Sequence, residues 1–348
     1  MKVAQIAPLY ESVPPSLYGG TERVVAHLTQ ALVEQGHDVT LFAAGGSRTT
    51  AALVECRHQA LRLDESGLKS ELACHLSMLH EVRNQASEFD ILHFHTDMLH
   101  FPFFEAVAHK TLTTLHGRLD MGDLSDTYTR WPDYPLVSIS QHQRGPLAHA
   151  HWIANVPHGL PDVETDFKSE HGDYLVFLGR ISPEKRPDRA IAIARAAGLP
   201  LKIAAKVDWT DRNYFNAVVL PQLCVPEIQF LGEVDDRAKS DLIGNARALL
   251  FPIDWPEPFG LVMIEAMACG TPVIGWRCGS VPEVLDHGVT GLMVSSEEEA
   301  VKAVRQVLEL DRQTIRDVFR KKFSATVMAQ RYVGLYRQLL RGHDITGS

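Results

Sequence analysis

The sequence predicts an α/β protein in which parallel sheets are covered by helices. Short runs of β-branched and other apolar residues alternate with amphipathic segments along nearly the whole chain, which is the pattern of strand–helix–strand units. At 348 residues the chain exceeds the usual size of one hydrophobic core, so two domains are expected. The polar stretch 161–173 has the composition of a linker, and it predicts a domain 1–165 followed by a domain 166–325.

The first domain is predicted to be a doubly wound sheet. Its strands are expected at 2–7, 39–43, 90–94, 111–115, 137–140 and 153–156. Between the first two strands, residues 21–35 place Val24, Leu28 and Leu32 on one face of an amphipathic helix. Gly36 is expected to end this helix.

The second domain repeats the same pattern. Its strands are expected at 174–178, 201–205, 228–231, 248–251, 272–275 and 292–294. A last amphipathic helix at 326–340 either caps this domain or packs back on the first one. Open parallel sheets bind ligands at the carboxyl ends of their strands, so the site is expected in a cleft between two facing domains.

Composition and charge exclude several classes of protein. The net charge of −9 argues against general binding to nucleic acid or to anionic membranes. The five cysteines are odd in number and lack C-x-x-C spacing, so neither a disulfide framework nor a structural zinc site is expected. The chain has no apolar run of about 18 residues, and its amino terminus has no signal-peptide pattern. These features predict no transmembrane segment and a cytoplasmic protein, with attachment to a membrane surface as the alternative.

The most informative run is PIDWPEPFGLVMIEAMACGTPVI, residues 252–274. Its prolines predict an extended loop after a strand, and a helix is expected to start near Phe259 and to end at Gly270. The backbone N–H groups of Phe259, Gly260 and Leu261 would then lie at the positive end of the helix dipole. Such N–H groups form a natural cradle for a phosphate.

Two glutamates flank this predicted helix start. Glu257 lies just ahead of it, and Glu265 lies one to two turns inside it, far enough to bond a ribose diol. Two glutamates eight residues apart are common on protein surfaces, but here they stand in Pro-Glu-Pro-Phe-Gly-Leu and before Gly-Thr-Pro-Val-Ile. In this context the spacing resembles the E-x7-E motif of retaining glycosyltransferases of the GT-B fold, family 4 (glycosyl transferases group 1).

A basic block at the first strand of the second domain supports this resemblance. Leu-Gly-Arg180-Ile-Ser-Pro-Glu-Lys185 follows that strand, and a planar guanidinium and a compact ammonium both suit phosphate oxygens. A solvated basic turn is the alternative. The resemblance implies that Arg180 and Lys185 stabilise a diphosphate, that Glu257 bonds sugar hydroxyls, and that Glu265 holds the ribose.

Two features of the first domain extend the resemblance. The Gly19–Gly20 loop precedes the first helix, and in the family it faces the donor phosphates and the acceptor; a plain turn is the alternative. His116 follows a strand at the position where the family carries a histidine facing the transferred sugar, although a strand-end histidine is often only a satisfied polar residue. Glu22 is interpreted as a favourable charge in the first helical turn, with a polar contact in the cleft as the alternative.

Three further histidines invite a metal-site hypothesis. His93 and His95 share a face of a predicted strand and His100 follows, but no acidic ligand of recognisable spacing accompanies them. The family needs no protein-bound metal. We therefore expect these side chains to line the site or to pack in the core, and we expect neither a metal nor a cofactor.

The resemblance implies transfer of a hexosyl group from a nucleoside-diphosphate sugar, of the UDP-glucose or GDP-mannose type, to an acceptor hydroxyl with retention at the anomeric carbon. The acceptor could be a saccharide, a lipid-linked sugar or a small molecule. A GT-B sugar phosphorylase, a nucleotide-sugar epimerase and a non-catalytic sugar-nucleotide sensor stay open. A dinucleotide-binding oxidoreductase is disfavoured, because the first loop reads Tyr-Gly-Gly-Thr-Glu-Arg instead of G-x-G-x-x-G.

Overall fold

The computed structural model describes residues 1–17, 19–163 and 167–346, with side chains described as far as residue 342. The chain divides into two compact units. Unit 1 consists of Met1–Pro161 and the C-terminal helix that begins at Ala325, and unit 2 consists of Asp162–Ser324. The boundary predicted between residues 165 and 166 lies outside the described residues.

Unit 1 is built on a parallel sheet. Within its described residues the sheet has seven strands in the order β3-β2-β1-β4-β5-β6-β7. The strands are β1 (Lys2–Ile6), β2 (Asp38–Ala44), β3 (Ala52–Arg57), β4 (Ile91–Phe94), β5 (Thr111–Thr114), β6 (Leu136–Ser138) and β7 (Trp152–Asn155). Every strand predicted for the first half coincides with one of these to within two residues. The sequence does not predict β3, because this edge strand is half-exposed and shows no alternation of buried and exposed side chains.

Helices cover the sheet of unit 1. They are α1 (Gly20–Glu34), α2 (Glu71–Gln85), α3 (Phe101–Phe104) and α4 (Leu124–Arg130). Gly36 ends α1 as predicted, since it adopts a left-handed φ of 80° and its N–H bonds the carbonyl of Val33 at 2.9 Å. Ile6, Phe42 and Phe94 are fully buried at the centre of the core.

Unit 2 contains a second parallel sheet. In its described residues there are six strands, in the order β10-β9-β8-β11-β12-β13. The strands are β8 (Leu175–Arg180), β9 (Leu201–Lys206), β10 (Ile228–Gly232), β11 (Ala248–Phe251), β12 (Val273–Trp276) and β13 (Gly291–Val294). Both sheets therefore follow the 3-2-1-4-5-6 order of doubly wound nucleotide-binding folds, and the predicted α/β fold is confirmed.

Within the part of unit 2 that the structure describes, the first five helices connect these strands, and two more helices follow β13. They are α5 (Pro187–Ala197), α6 (Arg212–Tyr214), α7 (Asp236–Gly244), α8 (Leu261–Ala268), α9 (Val281–Val284), α10 (Glu297–Gln306) and α11 (Arg312–Phe323). Pro187 occupies the first turn of α5 and Gly198 ends it with a left-handed φ of 67°, the positions that proline and glycine favour. Phe177, Ile203 and Leu250 pack in the core of the unit.

The final helix, α12 (Ala325–Thr346), packs on unit 1. Its Tyr332 and Tyr336 are buried, and the hydroxyl of Tyr336 lies 3.1 Å from the amide nitrogen of Gln5 on β1. Among the helices of the described residues, none combines the length and the apolar composition that crossing a membrane requires.

Candidate functional site

The switch point of the unit 2 sheet brings together the two blocks that the sequence singles out. From β8 the chain runs outward to β9 and β10 and then returns to β11, which pairs directly with β8. Arg180 is the last residue of β8, and the loop that carries Glu257 follows β11. Ligands of open α/β sheets bind at such a switch point.

Lys185 and Glu257 form an ion pair at this point of the sheet. Both side chains are largely buried, with exposed fractions of 18% and 11%. The indole Nε1 of Trp255 donates a second hydrogen bond to the same carboxylate oxygen at 3.0 Å, and the Lys185 ammonium lies 4.9 Å from the centre of that ring. An ammonium has three N–H donors, so Lys185 keeps donors for a ligand while it neutralises Glu257.

Arg180 is held by two carboxylates. Its Nη2 donates to Glu184 at 3.1 Å, and its Nε lies 3.2 Å from Oδ2 of Asp211 without the alignment of a hydrogen bond. Burial raises the pKa of Asp211, against the lowering effect of Arg180. The carbonyl of Glu184 also accepts from the N–H of Asp254 at 2.8 Å, so the two loops are joined. The guanidinium is one-third exposed and can reorient toward a bound anion.

The start of α8 corrects one sequence prediction. The helix begins at Leu261 and not near Phe259, because Gly260 adopts a left-handed conformation with φ of 81° and ψ of 69°. Phe259 does not offer its side chain to the site: the ring is buried and packs 6.2 Å from Phe323. The N–H groups at the positive end of α8 are those of Leu261 and Val262, which have no acceptor within the helix.

Glu265 is paired with a lysine that the sequence does not single out. Lys239 on α7 donates to the Glu265 carboxylate at 2.7 Å and lies 3.1 Å from Asp236. Glu265 is 12% exposed. Each glutamate of the motif therefore has its own lysine, Lys185 for Glu257 and Lys239 for Glu265.

Gly279 braces the loop that carries Glu257. It has a left-handed φ of 57°, and a Cβ at this position would lie 2.5 Å from the Glu257 nitrogen and 2.7 Å from its oxygen. The next residue, Ser280, donates its N–H to the Glu257 carbonyl at 3.0 Å. Only glycine allows this close approach, so Gly279 belongs to the support of the site.

In unit 1, His116 lies beside His95 at the carboxyl ends of neighbouring strands. His95 directly follows β4 and His116 lies two residues beyond β5. The His95 Nδ1 is 2.8 Å from the His116 Nε2, and the His158 ring stacks on His116 with centres 5.2 Å apart. Burial lowers the pKa of His116 to about 3 and those of His95 and His158 well below the ordinary value. All three imidazoles are therefore neutral near pH 7.

The Gly19–Gly20 loop leads into α1, which begins at Gly20. A Cβ on Gly19 would lie 2.7 Å from the Cβ of Pro15, so the loop leaves little room for a side chain at this position. Glu22 lies in the first turn of α1 but is not a solvated charge. Its side chain is buried, and burial raises its pKa.

His93 and His100, the other two histidines of the metal-site hypothesis, are buried inside unit 1. His93 bonds the Tyr336 hydroxyl at 2.7 Å and Thr114 Oγ1 at 2.8 Å, while His100 stacks on Phe94 with ring centres 3.7 Å apart. Nowhere in the part of the chain that the structure describes do three histidine, cysteine, aspartate or glutamate side chains come together in a way that could hold a metal ion.

Comparison with known families identifies the group of proteins to which this chain is related. The family model described as "Glycosyl transferases group 1" matches residues 163–323, and that described as "Glycosyltransferase Family 4" matches residues 18–155. The chain belongs to the group 1 glycosyltransferases. The first match covers the Arg180, Lys185, Glu257 and Glu265 blocks, and the second covers Gly19, Gly20 and His116.

Individual relatives of this group 1 glycosyltransferase match to different extents. A D-inositol 3-phosphate glycosyltransferase of Rhodococcus erythropolis is 35% identical over 130 residues, which are 34% of this chain and 29% of that protein. A phosphatidyl-myo-inositol mannosyltransferase of Mycolicibacterium smegmatis is 22% identical over 99% of this chain and 94% of its own length. The crystal structure of HepE from Anabaena in complex with UDP-glucose has a TM-score of 0.71 and 18% identity, and the match covers 97% of this chain and 100% of that one.

Proposed function

We propose that the chain transfers a hexosyl group from a nucleoside-diphosphate sugar of the UDP-glucose or GDP-mannose type to an acceptor hydroxyl, with retention at the anomeric carbon. The observation that carries this proposal is the pairing of Lys185 with Glu257 beside Arg180 at the switch point of the unit 2 sheet. The UDP-glucose bound by HepE and the mannosyl transfer named for the M. smegmatis relative support the two donor types.

The two cations would act on the departing diphosphate. Negative charge grows on the leaving phosphate as the bond to the sugar breaks, and groups placed there in advance stabilise it. Arg180 offers a planar fork and Lys185 a compact charge, and the start of α8 would add the positive end of a helix dipole. Glu257 would accept hydrogen bonds from sugar hydroxyls, and Glu265 from the ribose.

We attribute the retained configuration at the anomeric carbon to a front-face substitution. A double displacement needs a carboxylate nucleophile and a second carboxyl group about 5 Å away, whereas both motif glutamates are held by lysines. In the proposed step the bond from the anomeric carbon to the phosphate oxygen breaks, and the acceptor oxygen bonds the same face. The proton of the acceptor hydroxyl passes to the departing phosphate.

Nucleoside-diphosphate binding tests the proposal first. We expect UDP or GDP, at about a hundred times its Kd, to raise the melting temperature by about 5 to 10 °C, because a ligand at this saturation stabilises the folded state by about 2.7 kcal/mol. The Glu265→Gln substitution should reduce this rise by removing the charged ribose acceptor. Glu309→Gln, an exposed carboxylate in the same unit, should leave it unchanged.

The outcomes separate the alternatives. If no nucleoside diphosphate or its sugar raises the melting temperature, the proposed function is wrong. Binding without transfer or hydrolysis would indicate a sugar-nucleotide sensor. Release of sugar 1-phosphate only when phosphate is added would indicate a phosphorylase, and interconversion of the free donor sugars would indicate an epimerase.

Gly279→Ala should lower turnover by about a hundredfold. The added Cβ would collide with the backbone of Glu257 and displace that loop, and a shift of about 1 Å in a positioning group can cost this much. The matched control is Gly288→Ala, which introduces the same left-handed strain at φ of 81° with no atom within 4 Å of the new Cβ. Steady-state kinetics of both variants check this prediction, and equal losses in the two would contradict it.

A further inference from the structure

A chain of buried hydrogen bonds runs through unit 1 from α12 to His116. The Tyr336 hydroxyl lies 3.1 Å from Gln5 Nε2, Gln5 Oε1 lies 2.8 Å from His95 Nε2, and His95 Nδ1 lies 2.8 Å from His116 Nε2. Gln5 is fully buried and His95 is 3% exposed. This series of hydrogen bonds therefore joins the C-terminal helix to the edge of the sheet where the site is predicted.

The direction of donation along this series of hydrogen bonds can be assigned from its inner end. Tyr336 also lies 2.7 Å from His93 Nδ1, and His93 Nε2 lies 2.8 Å from Thr114 Oγ1. The tyrosine has one hydrogen, which it donates to His93 Nδ1, and its oxygen accepts from the Gln5 amide. Gln5 Oε1 is then the acceptor that faces His95.

The direction of donation at the outer end follows from the neutral state of His95 and His116. Burial, and next the charge of His93, lower the pKa of His95, so its ring carries a single N–H. That hydrogen lies on Nε2, where Gln5 Oε1 accepts it, and Nδ1 is left as an acceptor for the Nε2–H of His116. His116 then has a lone pair on its Nδ1, a buried atom that makes no hydrogen bond with the described residues.

We propose that Gln5 and His95 are positioning residues that keep the proton of His116 on Nε2, so that Nδ1 accepts a hydrogen bond from a hydroxyl of the transferred sugar. This inference rests on the proposed function for the identity of the ligand. It makes His116 a determinant of specificity, because an acceptor nitrogen selects a group that can donate. A sugar that lacks this hydroxyl, or that carries a carboxylate there, offers no hydrogen to Nδ1 and is disfavoured.

The tautomer can be measured without any substrate. Long-range ¹H–¹⁵N spectra of the full chain labelled on histidine distinguish protonated from unprotonated ring nitrogens, and His116→Gln identifies the His116 signals. We expect a protonated Nε2 and an unprotonated Nδ1 in the native chain. His95→Leu, which removes the acceptor, should give a mixture of tautomers, whereas His95→Gln supplies an amide oxygen and should restore the native signals. A proton on Nδ1 of the native chain would overturn the proposal.

Kinetics test the consequence for the sugar. With a series of monodeoxy UDP-glucose or GDP-mannose analogues, we expect one analogue to lose about tenfold or more in kcat/KM with the native chain, the usual effect of one lost hydrogen bond. His95→Leu should lower kcat/KM for the parent donor and reduce this discrimination, and His95→Gln should recover part of both. Binding of UDP or GDP, which lack the sugar, should stay as in the native chain.

The experiments distinguish failure of the proposed sugar contact from failure of the proposed function. Equal rates with every monodeoxy donor, or no recovery by His95→Gln, would remove the proposed sugar contact even where transfer is observed. Failure to bind or to transfer any donor would instead contradict the proposed function, and the spectra would still decide the tautomer of His116.

Discussion

Replacing Lys185 with alanine is expected to lower kcat by about a hundred- to a thousandfold, the usual effect of removing one group that stabilises developing negative charge. The loss has two parts. The diphosphate loses a nearby cation, and Glu257 loses its ion-pair partner and keeps the hydrogen bond from the indole of Trp255. An uncompensated carboxylate would then repel the phosphates at the place where they should bind.

These two parts can be separated by a double-mutant cycle. Lys185→Ala combined with Glu257→Gln removes the repulsion, so it should bind the nucleoside diphosphate more tightly than Lys185→Ala alone. Lys185→Arg keeps the charge and should retain more turnover than alanine. Lys321→Ala, on the exposed face of α11 in the same unit, is the control and should behave like the native chain. Near-normal turnover of Lys185→Ala would remove this residue from the mechanism.

The sequence does not predict the pairing of Lys185 with Glu257, which arises from the fold. The two residues are 72 positions apart, and no local pattern connects them. The strand pattern predicts a doubly wound sheet, and its 3-2-1-4 order makes β8 and β11 neighbours. Motifs that end the first and fourth strands of such a domain therefore lie near each other, and this proximity allows the side-chain contact.

Other parts of the site depend on contacts that leave no mark in the sequence. Lys239 lies on an ordinary polar helix, and Asp211 lies in a connection after β9, so their roles appear only when Glu265 and Arg180 are in place. The start of α8 is set by the left-handed backbone of Gly260, where the two prolines ahead suggest an earlier start. The tautomer of His116 depends on Tyr336, from the opposite end of the chain.

Arg312 has an unusual place in unit 2. It is the first residue of α11, where a positive charge opposes the helix dipole, and its side chain is only 2% exposed. Burial lowers the pKa of the guanidinium to about 10, so it is still charged at pH 7. The charge is satisfied by oxygen atoms at the ends of other elements: the carbonyls of Gly244 at 2.7 Å, Ala246 at 3.0 Å, Lys168 at 2.8 Å and Cys269 at 3.4 Å, and the hydroxyl of Thr271 at 2.6 Å.

Arg312→Met is therefore expected to lower the free energy of unfolding of unit 2 by about 3 to 5 kcal/mol, the usual cost of leaving the partners of a buried charged group unsatisfied. The carbonyls of Gly244 and Cys269 end α7 and α8, so the loss would also loosen the helices that carry Lys239 and Glu265. Differential scanning calorimetry of the full chain, with and without the nucleoside diphosphate, measures both effects.

The control on the same helix is Arg320→Met. The native Arg320 side chain is 39% exposed and pairs with Asp162 at 2.7 Å. This exposed pair should contribute no more than about 1 kcal/mol, and a loss as large as that of Arg312→Met would show that burial and carbonyl contacts are not what makes Arg312 important.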